Sequence, residues 1–221
     1  MTKHFSIAID GPSGSGKSSV AKAVAKACGL FYLDSGAFYR AIAYYLNHLN
    51  VDFHKEEECQ EALKSIRFDI SPAGITMNHS LLGEEIRTSE ISQIASKVSV
   101  IPQVRTFVTE VVRELSKDQN VIMDGRDIGT VVLPLADLKL FITASVEERA
   151  RRRQKELAQQ GHHSSFEETL EEIKERDHRD ISRALSPLKP APDAILIDTT
   201  HLSFDQVVNK VVMIVREKIF L

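Results

Sequence analysis

Phe5–Gly29, FSIAIDGPSGSGKSSVAKAVAKACG, is the stretch that decides how this chain folds. Phe5 to Ile9 is an apolar run with β-branched members, the composition of a strand buried on both faces. From Ser18 to Cys28, Val20, Ala23, Val24 and Ala27 recur at helical spacing, and Gly29 stops the helix. Between strand and helix lies Gly11-Pro12-Ser13-Gly14-Ser15-Gly16-Lys17-Ser18, which fits G-x-x-x-x-G-K-[ST]. Glycines let successive backbone N–H groups converge on phosphate oxygens, and the helix N-terminus adds a favourable field. Lys17 would reach the β- and γ-phosphates, and Ser18 could touch Mg²⁺. A chance Gly/Ser-rich turn is the bland alternative. The strand before and the helix after favour a nucleoside triphosphate site.

Outward from this stretch the alternation continues. Phe31 to Leu33 reads as a strand, followed by Asp34-Ser35-Gly36 and an amphipathic run through Leu49. Val121 to Met123 leads to Asp124, Leu138 to Ile142 ends near Thr143, and Ala194 to Ile197 gives the last strand. Short strands alternating with helices predict an α/β chain with a doubly wound parallel sheet. Ser145-x-x-Glu148, Ser165-x-x-Glu168 and Ser203-x-x-Gln206 are candidate capping boxes.

Two stretches break the rhythm. Residues 52 to 88 open with an acidic helical run and continue as a hairpin, Arg67 to Ile70 and Ile75 to Met77 around Pro72-Ala73-Gly74. Residues 149 to 183 hold 7 of the chain's 14 arginines and almost no large apolar residues, with Gly161-His162-His163-Ser164-Ser165 as hinge or tip. Pro187 to Pro192 leads back to the core.

Composition narrows the function classes. The chain has 221 residues, 43% of them hydrophobic, and a net charge of −3. That balance lacks the footprint of a general nucleic-acid binder. Two cysteines, Cys28 and Cys59, exclude a disulfide scaffold and a four-thiolate zinc site. The N-terminal apolar run is too short for a signal peptide, and nothing approaches the roughly 18 apolar residues of a membrane span. The expectation is a soluble, cytoplasmic protein with neither membrane nor nucleic acid as partner. No Asn-Lys-x-Asp guanine reader and no Leu-Ser-Gly-Gly-Gln transporter signature is present. Small-molecule kinases remain, and these need positive charge and a water-excluding cleft more than a dedicated base.

Three clusters suit that chemistry. Asp34-Ser35-Gly36-Ala37-Phe38-Tyr39-Arg40 follows the second strand, where a doubly wound sheet opens its crevice. Asp124-Gly125-Arg126-Asp127-Ile128-Gly129-Thr130 follows another strand, so Asp124 is a candidate to organise metal-bound water and Arg126 to hold a phosphate. In Arg176-Asp177-His178-Arg179-Asp180-Ile181-Ser182-Arg183, Arg176, Asp180 and Arg183 share a helical face. Each has a plainer reading: turn and cap residues for the first two, and a solvated helix for the third and for Arg149 to Arg153. His162, His163 and His178 lack metal-ligand spacing and read as surface residues. Cys28 reads as buried.

GPSGSGKSS, LDSGAFYRA, GEEIRTSEI, ASKVSVIPQVR, DGRDIGTVVLP, ASVEERARRR and IKERDHRDISRALSPL occur in that order. Together they resemble the bacterial cytidylate kinases of the nucleoside monophosphate kinase superfamily, across essentially the whole chain. The resemblance implies transfer of the ATP γ-phosphoryl group to CMP or dCMP, with Mg²⁺ as cofactor, by a monomer. It implies one P-loop kinase domain with a parallel sheet flanked by helices: a core of 1–51, 96–148 and 184–221, a monophosphate-binding insertion at about 52–95, and a lid at about 149–183. Gly11, Pro12, Ser13, Gly14, Ser15, Gly16, Lys17, Ser18 and Ser19 would hold ATP. Ser96, Arg105 and Asp127 resemble the cytosine readers, and Arg40, Arg126 and Arg183 the holders of the acceptor phosphate. Arg176 and Asp180 would face the pentose, and Ser35 and Tyr39 would lie beside the acceptor. Lys17, Arg126, Asp127, Arg176 and the lid residues Arg152 and Arg153 would act on the transferring group. Asp124 and Ser18 would serve the metal. Many nucleoside monophosphate kinases have Gly where Ser18 stands, so Ser18 either binds Mg²⁺ directly or holds it through water. Kinases for UMP, AMP or shikimate, and a nucleotide-dependent binding protein, are the competing classes.

Overall fold

The computed structural model describes residues 4–71, 74–159, 161 and 164–219. In chain order its elements are β1 (Ser6–Asp10), α1 (Lys17–Cys28), β2 (Phe31–Asp34), α2 (Ser35–His48), α3 (Glu56–Lys64), β3 (Phe68–Ser71), β4 (Gly74–Met77) and β5 (Ser80–Leu81). There follow α4 (Ser89–Val98), α5 (Pro102–Ser116), β6 (Val121–Gly125), β7 (Leu138–Thr143), α6 (Val146–Gln159), α7 (Phe166–Ser182), β8 (Ile195–Asp198) and α8 (Phe204–Ile219). A π-turn at Ile128–Val132 lies between β6 and β7. The chain forms two compact units, Met1–Leu33 with Gln119–Leu221, and Asp34–Asp118.

The first unit carries a five-stranded sheet in the order β2-β6-β1-β7-β8. β1 pairs in parallel with β6 and with β7, and β7 in parallel with β8. Ile7, Ala8 and Ile9 of β1 have no exposed surface, as expected for a central strand covered on both faces. Val20, Ala21 and Val24 of α1 and Val207, Val211 and Val215 of α8 pack into one cluster with Ile7, Ile9 and Leu140. Each such valine contributes on the order of 1.5 kcal/mol or more by leaving water. Asp10 stands in register with Gly125, so the loops after β1 and β6 leave the sheet side by side. The mouth at the carboxyl ends of such strands is where α/β sheets place ligands.

In the second unit, Asp34 caps α2 by accepting from the Ala37 N–H at 3.1 Å. Phe38 of α2 is fully buried, its ring edge-on to Phe68 at 5.0 Å. β3, β4 and β5 form an antiparallel sheet. The expected hairpin is present, while its turn residues Pro72 and Ala73 lie outside the described residues. β5 was not expected. It is reached through Asn78 and His79, both at positive φ (50° and 69°), a two-residue turn without the glycine that usually betrays one.

Some local expectations change. The boxes at Ser165 and Ser203 close in both directions. The one at Ser145 closes in one: its hydroxyl accepts from the Glu148 N–H, but its own N–H donates to Thr200 Oγ1 and the Glu148 carboxylate turns to Arg152. Cys28 is half-buried rather than buried, and Cys59 is the buried thiol. His178 is exposed, as expected, and His162 and His163 lie outside the described residues.

Candidate active site

The loop between β1 and α1 is built for close approach. A Cβ on Gly11 would stand 2.0 Å from the Ile142 carbonyl oxygen, so only glycine passes β7 there. Gly16, at φ 81°, turns the chain into α1. Within the loop the Ser15 hydroxyl is buried and has no hydrogen-bond partner among the described residues, a donor left unspent. Lys17 is 6% exposed, and its ammonium donates to the Pro12 carbonyl at 3.1 Å. Beside the loop lies a cavity of about 510 Å³, lined by Gly14, Gly16, Ser19, Val20, Phe204 and Val207 among others.

At the end of β6, Asp124 is nearly fully buried. Its Oδ2 accepts from the Ser18 hydroxyl at 2.6 Å and its Oδ1 from the Tyr32 hydroxyl at 2.8 Å. A P-loop hydroxyl paired with a strand-end carboxylate is the oxygen donor set that suits a Mg²⁺ held partly by water and substrate phosphates.

Around this pair gathers positive charge. Arg126 Nε donates to Asp180 Oδ2 at 2.8 Å. Arg183 approaches Asp180 at 3.8 Å and Asp127 at 3.6 Å, and its Nε donates to the Ser186 carbonyl at 2.6 Å. Burial, then the neighbouring Arg126 and Arg176 charges, pull the Lys17 ammonium down to about 7, although Asp124 and Asp180 oppose them. Burial alone would raise Asp180, but the charge and hydrogen bond of Arg126, with Arg176 and Arg183, hold its carboxyl below the usual range. A cation whose proton is loosened by burial and by neighbouring cations marks a place that is short of negative charge, as a phosphate site is before its ligand arrives.

α6 reaches the loop through arginines, and α7 joins it through Asp177. Arg149 donates to the carbonyls of Ser13 and Ala144, both at 3.0 Å, and pairs with Asp177 at 2.6 Å. Arg152 holds Thr199 through its hydroxyl (2.9 Å) and carbonyl (2.7 Å), and Arg153 pairs with Glu156. Arg149 is buried, so the solvated-face reading of 149–153 fails at that position. It fails likewise at Asp180 in the later run.

The second unit presents its own set. Arg40 pairs with Asp34 at 2.7 Å, and its Nε is buried without a hydrogen-bond partner among the described residues. Arg105 is buried, donates to the Ser99 carbonyl at 2.9 Å and lies 5.8 Å over the Tyr39 ring. Ser35 is buried at the start of α2, and Ser96 lies half-buried on α4.

Sequence reasoning missed Asp10, Tyr32, Arg149, Asp177 and Thr199. Asp10 alone had a usable signal, a carboxylate at the end of an apolar strand abutting the loop. The others act through packing of elements distant in sequence.

The cytidylate kinase family profile matches residues 7–217. A cytidylate kinase from Thermosipho melanesiensis is 49% identical over 212 residues, covering 96% of this chain and 97% of that one. This chain belongs to the cytidylate kinase family. Another member, from Anoxybacillus flavithermus, is 46% identical with 99% of each chain covered. The fold is also similar to that of a putative kinase from Chloroflexus aurantiacus, with TM-score 0.51, 16% identity and 98% of both chains covered. Family membership and geometry agree on a kinase with a parallel sheet flanked by helices. Among the described residues, no helix is long and apolar enough to cross a membrane.

Proposed function

We propose that the protein transfers the γ-phosphoryl group of ATP to CMP or dCMP, giving ADP and CDP or dCDP. The observation that carries this reading is Lys17, 6% exposed in a Gly-rich loop between strand and helix and lowered to about 7 first by burial and then by the charges of Arg126 and Arg176, in a chain of the cytidylate kinase family.

The loop amides from Gly11 to Ser19 cradle the triphosphate, and Lys17 meets its β/γ end. Ser18 and Asp124 would hold Mg²⁺, which would supply positive charge against that developing on the transferring phosphoryl. Arg126, Arg152, Arg153 and Arg176 compensate the remaining charge on the transferring group. Arg40, Arg126 and Arg183 hold the acceptor phosphate, whose oxygen is already anionic and needs no dedicated base. Ser35 and Tyr39 lie beside the acceptor, and Arg176 and Asp180 face its pentose.

Base choice follows from hydrogen-bond sign. Cytosine offers one amine donor, N4, and two acceptors, O2 and N3. Asp127 accepts from N4, while Arg105 and Ser96 donate to the acceptors. Uracil would turn O4 toward a carboxylate and N3–H toward a donor. Each such unmade bond costs roughly 1–3 kcal/mol.

The reading carries with it a monomer acting on free nucleotides in the cytoplasm. An acceptor panel tests it: ADP release measured with CMP, dCMP, UMP, AMP and shikimate in turn. CMP and dCMP give the highest kcat/KM. A preference for any of the other three, or ADP release indifferent to all, contradicts the assignment.

A further inference from the structure

Asp10 ends β1 and is 3% exposed, yet the phosphate-binding motif begins only at Gly11 and gives it no task. Its carboxylate spans two consecutive amides of a distant loop. Oδ1 accepts from the Ile128 N–H and Oδ2 from the Gly129 N–H, both at 2.8 Å. These amides open the π-turn Ile128–Val132, in which the N–H groups of Val131 and Val132 return to the Asp127 carbonyl. The first amides of such a turn have no partner inside it, and Asp127, in the capping position, makes no side-chain capping bond. Asp10 does that work from another strand.

The fit is close on every side. A Cβ at Gly129 would lie 3.1 Å from Lys139 Cδ and 3.4 Å from Asp10 Oδ2, so a methyl there has to displace either the Lys139 stem or the turn itself. The arrangement is costly. Burial, the largest effect, raises the Asp10 carboxyl to about 6 with help from Asp127, although the two amides and Lys17 favour its charge. A buried carboxylate is worth that cost where its hydrogen bonds fix something. What it fixes is the turn immediately after Arg126 and Asp127.

We propose that Asp10 is a positioning residue for the acceptor side of the reaction: by capping the Ile128–Val132 turn it sets the angle at which Arg126 and Asp127 meet the acceptor nucleotide. The proposal rests on the ATP:CMP reading above. Asp10 touches neither nucleotide and acts through the turn.

The test compares Asp10→Asn with the parent. Asparagine keeps the shape but turns an NH₂ toward one of the two amides, so one bond is lost and a donor–donor contact replaces it. The KM for CMP is expected to rise about ten- to hundredfold, with thermal unfolding still cooperative. The Kd of a non-hydrolysable ATP analogue is expected to stay within about threefold of the parent. Gly129→Ala, which leaves Asp10 in place but crowds the turn against Lys139, is expected to give the same split by shifting the turn that Asp10 caps. An unchanged KM for CMP in Asp10→Asn overturns the proposal. So does an analogue Kd that rises as much as that KM, since Asp10 would then be bracing the adjoining triphosphate loop. If Asp10→Asn does not fold, Gly129→Ala decides: a rise in the CMP KM alone supports the proposal, and any other result overturns it. A parent that shows no CMP-dependent ADP release contradicts the kinase reading instead.

Discussion

The Ser18 hydroxyl donates to Asp124 Oδ2 at 2.6 Å, joining the end of the phosphate loop to the end of the neighbouring strand β6. Two oxygens from separate strand–loop units meet because β1 and β6 are parallel and in register, Ile9 opposite Asp124. Replacing Asp124 with Asn removes the charge while keeping the shape. The Mg²⁺ concentration for half-maximal rate should rise roughly ten- to hundredfold, with metal-free nucleotide binding little changed. A variant with the parental Mg²⁺ dependence would remove Asp124 from the metal site.

Lys17 makes a prediction about protons. Its ammonium sits at about 7 in the free protein, and a bound triphosphate brings negative charge that raises it. Above that value ATP binding therefore takes up a proton, and affinity weakens as pH rises through it. Calorimetry in buffers of different ionisation enthalpy reads the uptake directly. Lys17→Ala should abolish it and lower kcat by about a hundredfold or more. Binding without proton uptake in the parent contradicts the electrostatic picture of the site.

Much of this site was legible before folding was considered. Gly11–Ser18 is contiguous, so its geometry is local and its motif carries the meaning. The sheet was legible for a similar reason: β1, β6 and β7 are buried apolar runs whose ends are punctuated by Asp10, Asp124 and Thr143. Arg149 shows where legibility stops. In sequence it is one of four closely spaced arginines on a polar helix, and only the packing of α6 and α7 beside Ser13 makes it buried and paired. β5 was missed because Asn78 and His79 adopt positive φ without a glycine to announce it.

Arg149 should be structurally expensive to lose. Arg149→Ala strands Asp177, whose second oxygen is already buried without a partner among the described residues, and removes the Arg149 donor from the Ser13 carbonyl. Breaking a buried pair from one side costs about 3–5 kcal/mol. Denaturant unfolding reads the loss, and a cost below about 1 kcal/mol would mean the pair behaves as a solvated surface contact.

On the proposed reading, Asp127 sets the base preference. Asp127→Asn should lower kcat/KM for CMP far more than for UMP, which has no N4 amine to lose, and so narrow the CMP/UMP ratio. Its Mg²⁺ dependence should match the parent, which separates a base reader from a second metal carboxylate. An unchanged CMP/UMP ratio would show that the base is read elsewhere.

Phosphorus NMR of the protein with ATP, CMP and Mg²⁺ follows the transferred group itself. CDP and ADP should appear together, one for one, with no inorganic phosphate. ADP accompanied by inorganic phosphate while CMP stays intact would contradict the account at its centre.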